Sequence, residues 1–135
     1  MKWAGFQQEM SILKKMSSLI KDGCIISDFA VNFARQFDGL FKEWCHSRHK
    51  TLLAEFDLGG SIAFEKPDYQ RFTDNGLLEI TPIGEYIVPS GLLTDKFGNF
   101  YSFDVWDHIV RLGSFCEFLK GLYYGKFNYT EIYFR

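Results

Sequence analysis

The stretch GLLTDKFGNFYSF, residues 91–103, decides the fold. Leu92, Leu93 and Thr94 make one extended arm, and Phe100 to Phe103 make the other. Between them, Asp95, Lys96, Phe97, Gly98 and Asn99 have the composition of a tight turn, so the segment is a β-hairpin. A hairpin joins antiparallel neighbours, which places the centre of the chain in an antiparallel sheet rather than in a parallel, doubly wound one.

Working outward toward the N-terminus, Leu77–Thr81 and Glu85–Val88 read as two further short strands. Pro82 and Gly84 separate them, and Pro89, Ser90 and Gly91 close the second. Residues 67–75 are polar, a turn of helix and a loop ending at Asn75 and Gly76. Gly59 and Gly60 are a break, after which Ser61 to Glu65 alternates as a strand does.

Earlier still the period changes from two to between three and four. Phe6, Met10, Leu13, Met16 or Ser17, and Ile20 form one stripe of an amphipathic helix, with Gly23 as its stop. Ser27 is a good N-cap, and Asp28 in the first turn suits the positive end of a helix dipole. The spacing predicts a second helix from Asp28 to about His46, buried through Phe29, Phe33, Phe37, Leu40 or Phe41, and Trp44. Gly39 inside it predicts a bend or a close backbone contact. The connection at residues 23–27 is short, so the two helices form an αα-hairpin.

On the C-terminal side, Trp106, Ile109, Val110, Leu112, Phe115, Phe118, Leu119 and Leu122 predict a helix over 105–124. Gly113 divides it, with Ser114 as a fresh N-cap, and Gly125 ends it. Residues 129–134 predict a final strand. The expected architecture is therefore α+β within one domain spanning 1–135. A helical hairpin occupies 5–50, a sheet of short antiparallel strands 56–104, and a C-terminal helix and strand 105–135.

The charge is uneven. Between residues 51 and 117 the chain carries eleven acidic against four basic side chains, −7 in a protein of net charge −2. Aromatic residues run through the same stretch. Clustered Lys and Arg, which phosphate binding needs, are missing there, so the bias favours a basic protein partner over nucleic acid. The candidate contact residues are Asp68, Tyr69, Asp74, Glu79, Glu85, Asp95, Phe97, Tyr101, Asp104 and Asp107, a pool that would present one exposed acidic, aromatic face. The three cysteines are widely spaced and odd in number, which fits a reducing cytoplasm better than a disulfide framework. No leader segment and no membrane-spanning run is recognisable. Cys116 reads as a small core residue of the last helix.

Chemistry-bearing patterns are sparse. Cys45, His46 and His49 have a metal-like spacing on a continuing helix, but a site needs further ligands, and a helix end explains the histidines. Asp104, Asp107 and His108 could form a carboxylate–histidine pair, yet capping of the expected helix at 105 accounts for both carboxylates. No phosphate loop or nucleophile elbow occurs. Neither enzyme activity nor a cofactor nor a metal is expected, and nothing selects an oligomeric state.

Two stretches resemble families of bacterial immunity proteins. LKKMSSLIKDGCIISDFA (13–30), continued by Phe33, Phe37, Phe41 and Trp44, resembles the opening of colicin-D-type immunity proteins. GNFYSFDVWDH (98–108) followed by SFCEFLKGL (114–122) is similar to the closing segment of the SUKH superfamily. Both resemblances imply a cytoplasmic immunity protein that neutralises a toxin, often a nuclease, and an inhibitor encoded by a phage against a defence nuclease is a close variant. A third stretch, FTDNGLLEITPIG (72–84), resembles the end of a recognition helix and the first wing strand of winged-helix regulators. That implies the alternative of a DNA-binding protein, against which stand Glu65, Asp68 and Asp74 beside only Lys66 and Arg71.

Overall fold

The computed structural model describes residues 2–46, 49–60, 62–86, 90–104 and 108–134. Two helices, α1 (Lys2–Lys21) and α2 (Asp28–Phe37), lead into strands β1 (Phe41–His46) and β2 (His49–Phe56). Helix α3 (Lys66–Asp74) precedes β3 (Thr81–Tyr86), β4 (Gly91–Thr94), β5 (Phe100–Phe103) and β6 (Ile109–Gly113). Helix α4 (Phe115–Tyr124) and strand β7 (Thr130–Ile132) complete the chain. The strands lie side by side in chain order, β1 to β7, each antiparallel to the next. The protein is α+β, with an N-terminal helix pair and a C-terminal helix and strand around an antiparallel sheet. No helix among the described residues is long and apolar enough to cross a membrane.

The hairpin at 91–103 forms as its sequence dictates, with Leu92 opposite Ser102, Leu93 opposite Tyr101 and Thr94 opposite Phe100. All eight residues of β4 and β5 are buried, because the sheet is covered on both faces. Side chains alternate along β5. Phe100 points toward α2 and α4, where it stacks on Phe118 at 4.2 Å between ring centroids and meets Phe33 edge-on at 5.5 Å. Phe103 points to the opposite face, against Phe64 and against Phe72 of α3. Most of the chain's phenylalanines are consumed in these two cores, where edge-to-face pairs add about 0.5–1.5 kcal/mol each beyond the area they bury.

Helix α2 begins at its expected cap: Ser27 Oγ accepts from the Ala30 N–H at 3.1 Å. It ends nine residues before the expected point, and β1 occupies 41–46. The cause is Gly39, whose φ of +89° lets the chain leave the helix. Its N–H then bonds the Phe56 carbonyl at 2.7 Å, and the Phe56 N–H returns to the Leu40 carbonyl. Asp38 fixes the exit, accepting from the Leu58 N–H and from Lys15 Nζ, each at 2.6 Å. Phe41 is consequently an exposed strand residue. Cys45 and His49 sit on neighbouring strands rather than on one helix face.

Helix α1 is rotated from the expected stripe. Ile12 and Leu19 are buried, whereas Met10, Leu13 and Ile20 face outward. On the same helix Lys15 reaches between Asp38 and Asp57 at 2.6 and 2.7 Å.

The expected helix over 105–124 is divided more deeply than Gly113 suggested. Residues 109–113 are strand β6, bonded to β5 on one side and β7 on the other. Among the described residues of that range only 115–124 is helical, with Ser114 and Glu117 forming a capping box and Gly125 in the left-handed conformation at its end. Cys116 is exposed on that helix. Residues 62–65 are not a strand, and 77–80 is a turn that follows α3 where a wing strand would begin. Pro82 and Gly84 lie within β3 and mark an irregularity in its register rather than a break. Trp106 and Asp107, and the 87–88 end of the expected strand, lie outside the described residues.

Candidate functional site

Ser102, Val110 and Glu131 stand in one row across β5, β6 and β7, since Ser102 pairs with Val110 and Val110 with Glu131. They share the face on which Phe100 meets α2 and α4. That cover stops short of this row, leaving an open cavity of about 290 Å³. Its lining is Ser90, Ser102, Asp104, His108, Val110, Tyr129 and Glu131.

The polar groups of the cavity are tied together. Asp104 donates its N–H to the His108 carbonyl, and Asp104 Oδ1 accepts the His108 N–H, each at 3.0 Å. This closes the end of the β5–β6 pair. Asp104 Oδ2 lies 3.6 Å from His108 Nδ1, and Glu131 Oε1 lies 3.3 Å from His108 Nε2. The imidazole is therefore held between two carboxylates. Glu131 also accepts from the Tyr133 hydroxyl, and this bond, with that of His108, holds its carboxyl below the usual range. The same contact pushes the Tyr133 phenol up. Tyr129 places its hydroxyl 3.0 Å from that of Tyr86, fixing the wall of the cavity while the residue stays 55% exposed. Ser102 is 7% exposed, and its hydroxyl has no hydrogen-bond partner among the described residues.

The sequence-derived pool does not assemble into one surface. Tyr69 is buried against Phe64 beneath α3. Asp95 and Tyr101 are both 4% exposed and bonded to each other. Asp68 closes the capping box at the start of α3, and Asp74 accepts from Gln70, both on the sheet face opposite the cavity. Glu79, at a φ of +51°, lies 3.9 Å from Lys96. Glu85 pairs in register with Glu55. Phe97 is 72% exposed at the hairpin tip. Of the pool, Asp104 alone lines the cavity among the described residues, and Asp107 lies outside them. The residues of the cavity and its edge that sequence reasoning missed are Ser102, Tyr129 and Glu131, with Tyr133 bonded to Glu131. The signal for three of them was present, because alternation along a strand at 129–134 puts Tyr129, Glu131 and Tyr133 on one face.

Among the described residues no group of three or more His, Cys, Asp or Glu is placed to hold a metal ion. No protein-family model, curated protein or solved structure matches the chain. The class defined by the fold and the cavity is therefore an α+β protein with an antiparallel meander whose last strand carries an acidic, tyrosine-rich lip.

Proposed function

We propose that this chain is a binding protein, an inhibitor of the immunity-protein type that neutralises a basic toxin domain, and that it does so in the cytoplasm. The observation that carries the reading is the lip of β7, where the exposed rings of Tyr129 and Tyr133 bracket Glu131 beside Asp104. Exposed tyrosines offer large, rigid contact area at small entropic cost. The two carboxylates add attraction and faster encounter for a basic surface. The resemblance of 98–108 and 114–122 to the SUKH closing segment supports the same reading, since those residues supply β5, the start of the cavity and α4. Nuclease toxins, whose substrate-binding surfaces are basic, suit such a lip best.

A hydrolytic reading of Ser102, His108 and Asp104 has less support. Both imidazole nitrogens face carboxylates, so neither is directed at the Ser102 hydroxyl as a general base must be.

The test is capture of the product of the neighbouring upstream gene, or of another basic toxin domain, by the purified chain at low and high salt. A salt-sensitive complex weakened at least about tenfold by combining Glu131→Lys with Tyr133→Ala is expected. No capture of any basic toxin, or capture indifferent to both substitutions, overturns the proposal.

A further inference from the structure

We propose that the cavity beside His108 is a receptacle for the guanidinium group of an arginine side chain. This rests on the reading of the β7 lip as the contact surface, and it names what enters it. Four features converge. Ser102 is more than nine-tenths buried and lines the cavity, and its hydroxyl keeps accessible surface and has no hydrogen-bond partner among the described residues. Glu131 uses one oxygen for His108 and the other for Tyr133, which leaves an acceptor lone pair on each for an incoming donor. Asp104 adds a second carboxylate across the imidazole. Tyr129, anchored through its hydroxyl to Tyr86, presents its ring as a wall.

These features select among cations. A guanidinium is planar, carries five donors in a fixed fork and stacks on aromatic faces, so one group can meet Ser102, a carboxylate and the Tyr129 ring together. An ammonium is a point charge that gains less from the wall and more from water. Val110 lines the same cavity, giving an apolar surface for the methylene stem of the incoming side chain. An anion is disfavoured, because it would stand against two carboxylates.

The proposal is tested on the full chain by two-dimensional amide NMR, titrating in N-acetyl-arginine amide, with the corresponding citrulline and lysine amides as controls. Saturable shifts confined to the amides of Ser102, Val110, His108 and Glu131 are expected with the arginine compound. The neutral citrulline compound and the lysine compound are expected to bind at least about tenfold and about threefold more weakly, respectively. Ser102→Ala and Glu131→Gln should each weaken the arginine response about three- to tenfold, with undisturbed spectra elsewhere showing that both variants fold. Absence of a saturable response, or an equal response to citrulline or lysine, overturns the proposal. If arginine fails while toxin capture still depends on Glu131 and Tyr133, the receptacle falls and the contact surface stands. If arginine binds as expected and no basic toxin is captured, the receptacle stands and the inhibitor reading falls.

Discussion

Tyr101 and Asp95 are joined by a 2.8 Å hydrogen bond from the phenol to the carboxylate, linking a strand to the turn that precedes it. The other Asp95 oxygen accepts the N–H groups of Phe97 and Asn99, each at 2.9 Å. Asn99 in turn accepts from Arg111 on β6. The turn of the central hairpin is thus organised around one buried carboxylate. Burial and this bond together hold the Tyr101 phenol well above its usual range.

Asp95→Ala should therefore destabilise the protein by about 2–3 kcal/mol, because a buried phenol and two turn amides lose their acceptor. The midpoint of urea unfolding measures it. Asp95→Asn keeps an acceptor and should cost less. A midpoint within experimental error of the parent for Asp95→Ala would refute this account of the turn.

Phe118→Ala should cost about 3–5 kcal/mol, since its ring stacks on Phe100 and contacts Phe56 and Phe127. Phe97→Ala, at an exposed hairpin tip, should stay within about 0.5 kcal/mol of the parent. Thermal or urea unfolding of the pair separates core from surface phenylalanine.

Gly121→Ala puts helix propensity against packing. Alanine favours a helix by about 1 kcal/mol over glycine, but a Cβ there would run into the Phe127 ring. The ring must move, at a cost of about 1–3 kcal/mol or more. Net destabilisation is expected; a stabilised variant would show that α4 and Phe127 do not pack as described.

Tyr133→Phe removes a hydrogen bond that favours the charged form of Glu131. The Glu131 carboxyl should then titrate at higher pH, closer to an ordinary carboxylate, with His108 still holding it partly down. Whatever this carboxylate contributes is present above the usual carboxylate range and is lost on acidification, earlier in the variant than in the parent. Carboxyl NMR titration reads the shift, and an unchanged or lowered value would contradict the arrangement.

The parts of the fold legible in the sequence are those specified locally. Ser27, Ser114, Gly23 and Gly125 act within a few residues of themselves, and the turn at 95–99 carries its own acceptors. The end of α2 was not legible because Phe37, Phe41 and Trp44 satisfy a helical spacing equally well. Gly39 permits a bend anywhere near it; that the chain leaves the helix there is fixed by Lys15 and Leu58, both distant in sequence, meeting Asp38. Likewise Ile109 and Leu112 are three apart, as on a helix face, and only ladders on both sides make β6 a strand. Of the candidate site, Asp104 was visible as a polar residue at a boundary. Glu131 and Tyr129 became its neighbours only once β7 had paired with β6.

The chain-order arrangement of the strands also governs how the protein reaches its fold. Each ladder joins strands consecutive in the chain; four of the six close only short connections, whereas β2–β3 and β6–β7 close around α3 and α4. The helix pair docks through far more distant contacts: the Ser27 N–H to Thr81 Oγ1 and Cys24 Sγ to the Ile80 carbonyl span 54 and 56 residues. Docking of α1 and α2 is accordingly the step with the largest ordering cost. Until it occurs, Phe56 and Phe100 lack their cover from Phe33, and a growing sheet with that face bare is the species most prone to self-association during folding.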